Sequence, residues 1–198
     1  MTKSQPNVYS QRWFECFHGD ISDARTIPEV EFICTFGPMP KFRTVADVCC
    51  GMGRHARSLT RRGYSVTGID RDPNMIARAR SLGGGPRYIE ADLRDYQPDT
   101  AAYDLIIVMG QSFGHFDAAT NQAVLDRLAT GLRVRGRLIV DRGIQTFSRH
   151  IKESGISICA TALLTRKNGF KVAAFLCTSF TRAVNRKISS GSYSLGPR

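Results

Sequence analysis

The sequence predicts an α/β chain: a doubly wound, mostly parallel sheet with a C-terminal antiparallel hairpin. Three observations carry this. Short apolar runs alternate with stretches of helical spacing, as a parallel sheet with crossover helices requires. The run TVADVCC at 44–50 ends in a turn bearing Gly51 and Gly53, and a basic, polar stretch follows. A second run, VTGID, closes on Asp70, seventeen residues past Gly53. Strand, tight turn, helix and strand with a terminal acid is the order in which a nucleotide-type ligand is bound.

Each element follows from a local signal. Residues 8–36 hold two short helical candidates, one striped by Trp13, Phe14 and Phe17, the other by Ile27, Val30, Phe32 and Ile33. The first strand is 44–50, and its helix, 54–62, stops before Gly63. The second strand is 65–70. Asp72-Pro73 starts a helix with proline in its first turn, which runs to Ser81 and is stopped by Gly83-Gly84-Gly85. Strands at 87–91 and 104–109, a helix at 117–131 and a strand at 137–141 complete the alternation. Two β-rich runs, 155–165 and 170–180, flank Arg166-Lys167-Asn168-Gly169, and Asn-Gly signals a hairpin turn.

The chemistry is concentrated at the predicted carboxyl ends of the strands, where such sheets bind ligands. Gly51 and Gly53 let backbone N–H groups approach a ligand that a Cβ would hold off. Asp70 can accept hydrogen bonds from both hydroxyls of a ribose, and charge-assisted bonds of that kind are worth roughly 1.5–3 kcal/mol each. Gly51, Gly53 and Ala56 also satisfy the G-x-G-x-x-A pattern of dinucleotide-binding oxidoreductases. Two acids separate the readings. Asp47 lies inside the first strand, where a residue buried on both faces is ordinarily apolar. A carboxylate there is costly unless it is hydrogen-bonded or faces a cation. It suits an amino group and repels a pyrophosphate. Asp92, after the third strand, can accept from an adenine amino group. The bland alternative for each acid is an N-cap or a solvated strand end.

The stretch VADVCCGMGRHARSLTRRGYSVTGIDRDPNMIARAR resembles the cofactor half of class I S-adenosylmethionine (SAM)-dependent methyltransferases, most nearly the bacterial small-molecule branch, whose loop often reads D-V-C-C-G-x-G-R-H. The resemblance runs on through ADLRDY at 91–96 and YDLIIVMGQSFGHF at 103–116 to GRLIVDRG at 136–143, so it covers roughly residues 8–145. It implies a Rossmann-like methyltransferase fold, SAM as cofactor and methyl transfer to an N, O or C nucleophile of a small molecule. Asp47, Cys49, Gly51 and Gly53 would surround the methionine part. Asp70, with Arg71 beside it, would take the ribose, and Asp92 with Leu93 would meet the adenine. The backbone at Met109 and Gly110 would line the methyl end. Cys49 stands where many members have the first loop glycine.

Length and composition fit one domain. A chain of 198 residues suits a single core. Residues 1–180 are expected to form it, with lid helices at 8–36, a cofactor core at 44–145 and the hairpin at 155–180; 181–198 would be a basic, mobile tail. No stretch is long or apolar enough to span a membrane, and no signal peptide is apparent. Six cysteines without a C-x-x-C pair read as thiols in a reducing cytoplasm, and four scattered histidines give no metal spacing. Nine of the 28 basic side chains, but one of the 17 acidic ones, lie in residues 149–198. That asymmetry leaves an RNA-directed methyltransferase open as an alternative. A truncated, inactive SAM-binding relative is another: residues 155–180 could be the family's closing strands or an inserted hairpin that covers the site, and in the second case the closing strands are missing. Oligomeric state is not legible. Near the acceptor, His115 in SFGHF is a candidate general base; the bland alternative, which is favoured, is that it caps the helix near Asp117 or simply packs there. Tyr9, Trp13, Phe14 and Phe17 are candidates for an aromatic lid or for plain core.

Overall fold

The computed structural model describes residues 23–143, 158–166 and 170–179. Helix α1 (Asp23–Phe36) precedes β1 (Thr44–Val48), α2 (Arg54–Arg61), β2 (Ser65–Asp70), α3 (Pro73–Ser81) and β3 (Arg87–Glu90). Then come β4 (Tyr103–Val108), α4 (Ala118–Gly131), β5 (Leu132–Gly143), β6 (Ile158–Arg166) and β7 (Phe170–Ser179). The strands form one sheet in the order β3-β2-β1-β4-β5-β6-β7. The first five are parallel; β6 pairs antiparallel with β5, and β7 antiparallel with β6. The Lys167-Asn168-Gly169 turn, the Trp13–Phe17 stripe and the tail from 181 lie outside the described residues.

Alternation along the central strands sorts their side chains onto two faces. Val45, Leu105, Ile107 and Ile139 pack with Val30 and Ile33 of α1, Ala56 and Leu59 of α2, and Ile76 and Ala79 of α3. Ala46, Val48, Ile106, Val108, Leu138 and Val140 face the other way, onto Val124 and Leu128 of α4. Strands covered on both faces can be apolar throughout, and β1 and β4 nearly are. The strand order reverses between β1 and β4, so the crevice of this fold opens there, beyond Val48 and Val108.

Several boundaries depart from expectation for local reasons. The first strand ends at Val48, because Cys49 turns into the left-handed region at φ 61°. The helix after β1 ends at Arg61, and Arg62 and Gly63 close it with N–H bonds to Leu59 and Thr60. The third strand stops at Glu90, and the fourth runs from Tyr103 to Val108. The fifth begins as early as Leu132, with an irregular register opposite Tyr103–Leu105 and Arg135 at φ 66°. In α1, Ile27 is 44% exposed, while Thr26, Glu29, Val30 and Ile33 form the buried stripe. The buried face of α1 therefore carries a carboxylate that apolar periodicity did not select.

Candidate functional site

Backbone bonds tie the glycine turn to β2 and close it on itself. Cys50 N–H donates to Ile69 O, which ties the turn to β2, and Gly53 N–H donates to Cys50 O. Gly53 then serves as N-cap of α2 at φ 75°, with no side-chain cap. One first-turn amide of α2 is met from β1: Asp47 accepts from Ala56 N–H at 3.1 Å. Asp47 is 1% exposed, and burial pushes its carboxyl up to about 6 against the pull of His55 and Arg54.

At the end of β2, Asp70 accepts from Gly51 N–H at 2.8 Å through Oδ2 and from Asp72 N–H at 3.0 Å through Oδ1. Burial raises its carboxyl above the ordinary range, in part offset by those two amides. Each oxygen therefore has one acceptor position left for a pair of hydroxyls. Arg71 beside it is exposed. Asp92, just past β3, is held by Arg94: Oδ1 accepts from the backbone N–H at 2.8 Å and from Nε at 3.0 Å, and Oδ2 from Nη2 at 2.8 Å. This pairing holds the Asp92 carboxyl below its usual range. Arg94 also lies 5.6 Å from the ring centre of Phe116. Leu93 is buried in the α4-side core.

Across the crevice, Met109 is buried and Gly110 turns left-handed at φ 69°. Gly110 N–H donates to Asp141 of β5 at 3.1 Å, which pins the loop after β4. A Cβ built on Gly110 meets nothing within 4 Å, so the chain faces open space there. Ser112 Oγ donates to Met109 O at 2.9 Å. His115 is exposed and donates from Nε2 to Gln111 O at 2.6 Å. It does not cap α4; Asp117 does, through Thr120 N–H at 2.9 Å.

The carboxylates at the ends of β1, β2 and β3, the glycine turn and the Met109–Gly110 backbone thus surround one mouth of the sheet. The Cys49 and Cys50 thiols sit in the turn, and burial pushes both up, away from thiolate chemistry. No group of His, Cys, Asp and Glu among the described residues has the arrangement of a metal site.

The motifs assigned no role to four further side chains, although the loop pattern itself contains Arg54 and His55. Glu29, Arg54 and His55 form a buried cluster between α1 and α2. Asp141 holds the β4 loop. Its signal was present, since the apolar run LIVD ends in an acid as VTGID does. Glu29 had none, because it comes from a helix with no motif.

The comparisons agree with this geometry. Residues 45–136 match the family model described as a methyltransferase domain. A 96-residue stretch is 36% identical to a trans-aconitate 2-methyltransferase of Escherichia coli, covering 48% of this chain and 37% of the relative. The chain thus spans little more than a third of the length of the curated relatives it matches. Among solved structures, a TehB-like SAM-dependent methyltransferase from Corynebacterium glutamicum superposes with a TM-score of 0.56 at 25% identity, over 76% of this chain and 82% of that one. A SAM-bound amino pentose methyltransferase of Micromonospora echinaspora shares the fold, with a TM-score of 0.55 at 19% identity over 83% and 73%.

Proposed function

We propose that the protein is a class I SAM-dependent methyltransferase, its residues 45–136 matching a methyltransferase domain, and that it transfers a methyl group from SAM to an N, O or C nucleophile of a small-molecule acceptor. The observation that carries this is the ring of Asp47, Asp70 and Asp92 at successive strand ends around the glycine turn. Its acceptor set fits the cofactor. Asp47 is a buried anion suited to an α-amino group and opposed to a pyrophosphate. Asp70 offers both oxygens to the ribose. Asp92 keeps one acceptor position on Oδ2 for the adenine amino group, the others being taken by Arg94. The turn at Cys49, Gly51 and Gly53 would hold the methionine part, Arg71 and Leu93 would flank the nucleoside, and the open face of Gly110 would leave room at the methyl end.

Bound SAM supplies an electrophilic methyl group on a positively charged sulfur, so the protein needs little acid–base machinery. Its work is alignment of the acceptor against that carbon, which can contribute several kcal/mol. Asp141 contributes by fixing Gly110, and thereby the backbone beside Met109. His115, whose Nε2 is engaged by Gln111 O, would take an acceptor proton at Nδ1. A relative acts on trans-aconitate, which makes a small organic acid a reasonable first acceptor to assay. No helix among the described residues is long and apolar enough to cross a membrane, and we place the protein in the cytoplasm.

Calorimetric titration tests the proposal. Micromolar binding of S-adenosylhomocysteine and no specific binding of NAD are expected. NAD binding that withstands competition by S-adenosylhomocysteine would sink it.

A further inference from the structure

The amino end of the parallel sheet, opposite the mouth, takes no part in the chemistry above. Lys41 and Arg43 lead into β1, Arg61 and Arg62 close α2 ahead of β2, and Arg133 and Arg135 lie in the first residues of β5; all six are exposed. Bonds between the strands bring them together. Arg43 N–H donates to Asp104 at 2.9 Å, and Arg133 Nη1 reaches both Asp104, at 2.8 Å, and Thr44 Oγ1, at 2.7 Å. Ser65 N–H donates to Arg43 O at 2.9 Å, which sets the end of α2 against the same edge.

The charge is not cancelled. At these strand starts and in the last residues leading into them, the acids are Asp104 and Asp99. Asp104 pairs with Arg133. Asp99 lies toward α4, where Ala101 N–H bonds Thr130 O. Among the described residues, Lys41, Arg43, Arg61, Arg62 and Arg135 enter no salt bridge. Arg133, Val134 and Arg135 are exposed in succession, where a regular strand would turn one of them inward. Arg135 takes the left-handed region at φ 66°, beside the irregular register of β5, and so faces solvent with its neighbours.

We propose that this surface binds the phosphate backbone of a nucleic-acid duplex, as a contact separate from the methyl-transfer site. Charge complementarity selects the partner. A duplex carries one negative charge per about 1.7 Å of its axis, and each phosphate neutralised by a basic side chain releases counterions. Five of the six basic side chains are arginines, whose planar fork matches phosphate oxygens. Single-stranded partners depend on bases stacking upon aromatic side chains, and no aromatic side chain is exposed among the described residues, Phe42 and Tyr64 being buried. A lipid surface fits less well. The exposed large apolar side chain of the cluster is Val134, whereas interfacial docking uses a whole face of aromatic and leucine side chains. The five residues of β1 separate this surface from the mouth by about 16 Å. A duplex held here leaves the mouth to cofactor and acceptor.

Fluorescence anisotropy of a labelled RNA duplex of about two helical turns, titrated with the full chain at several salt concentrations, tests this. Binding should persist at about 0.15 M salt and weaken steeply above it. Arg43→Glu with Arg135→Glu, whose side chains bond to nothing among the described residues, should weaken binding at least about tenfold and lower the salt slope by about two phosphates. Affinity for S-adenosylhomocysteine and melting temperature should stay as in the wild type. Arg186→Glu with Lys187→Glu changes the net charge equally and should weaken binding far less. Equal weakening by the two pairs would make the binding a matter of net charge and overturn the proposal. So would no binding at about 0.15 M salt, or tighter binding to single-stranded RNA or to vesicles rich in anionic lipid. The same titration with a DNA duplex tells which duplex is preferred, and binding of either that the Arg43 and Arg135 changes remove supports the proposal. If that pair does not fold, as judged by its circular dichroism melt, Lys41→Gln with Arg61→Gln is read in its place, and unchanged duplex binding overturns the proposal.

Discussion

Asp47 shows how much one residue can say before a structure is known. A carboxylate in a strand flanked by valine and alanine contradicts the pattern of a doubly covered sheet, and the contradiction pointed to a site. The structure shows one duty for it directly, since it caps α2 through Ala56. Its folded pKa of about 6 lies above the 3.8 of an unconstrained carboxyl. The folded state therefore favours the protonated form. Asp47 costs stability progressively as pH rises from 3.8 through about 6, and the protein without ligand is expected to be less stable for it at neutral pH. With Asp47 facing the ligand's amino group, as proposed, binding would run the opposite way, because a cationic amino group needs the ionised form. Affinity for S-adenosylhomocysteine should be flat above about pH 6 and fall by up to about tenfold per unit below it. Asp47→Asn should abolish that slope. Titrations at several pH values check this, and a constant affinity between pH 5 and 8 would show that Asp47 does not face the amino group. Asp70 and Asp92 were legible as acids at strand ends. That Arg94 occupies most of Asp92 was not, because an Asp-x-Arg spacing fixes no rotamer.

At the scale of elements, the strands, the crossover helices and their order were readable because period and punctuation agreed: Asp72-Pro73 starts α3 and Gly83-Gly84-Gly85 follows it. The exposed Ile27 and buried Glu29 of α1 were not readable, because the register of a helix is set by what it docks against. Likewise Gly53 was read as a loop glycine that admits a ligand, but the structure adds a packing reason. A Cβ there would strike the Tyr88 hydroxyl and come within 2.8 Å of its ring. Gly83 also has positive φ, 63°, yet its Cβ would meet nothing within 4 Å. The pair separates backbone strain from collision. Gly83→Ala should cost about 1 kcal/mol, the usual penalty of the left-handed region. Gly53→Ala should cost about 2–4 kcal/mol, since overpacking typically adds 1–3 more. Urea unfolding of both variants measures the difference, and equal costs would mean that Tyr88 moves aside without penalty.

Across the whole molecule, the two ends of the parallel sheet do different work. At the amino ends of β1 and β4, Asp104 Oδ2 accepts from Arg43 N–H, Thr44 N–H and Thr44 Oγ1, each at 2.9 Å, and Oδ1 pairs with Arg133 at 2.8 Å. Burial opposes its charge, but Arg133 and the Thr44 and Arg43 donors prevail and hold its carboxyl at about 2. A depressed acid of this kind contributes stability above pH 3.8 that is lost as pH falls toward 2. At the carboxyl ends, Asp70 also accepts backbone amides, but one on each oxygen, which leaves an acceptor position on both. The same substitution at the two positions should therefore have different consequences. Asp104→Ala strands two backbone amides and an arginine far from the loop. It should lower stability by about 2–4 kcal/mol and leave the intrinsic affinity for S-adenosylhomocysteine unchanged, with a melting temperature that depends less on pH in acid. Asp70→Ala should weaken that affinity by about 2–4 kcal/mol through lost ribose bonds and a loosened Gly51, since neighbouring effects do not add. It should also cost some stability, because the Gly51 and Asp72 amides lose their acceptor. Calorimetry and thermal melts on both variants separate the two effects. Equal loss of affinity in the two would mean that the sheet transmits stability to the site as a unit; loss in Asp104→Ala alone would place the ligand at the wrong end of the strands.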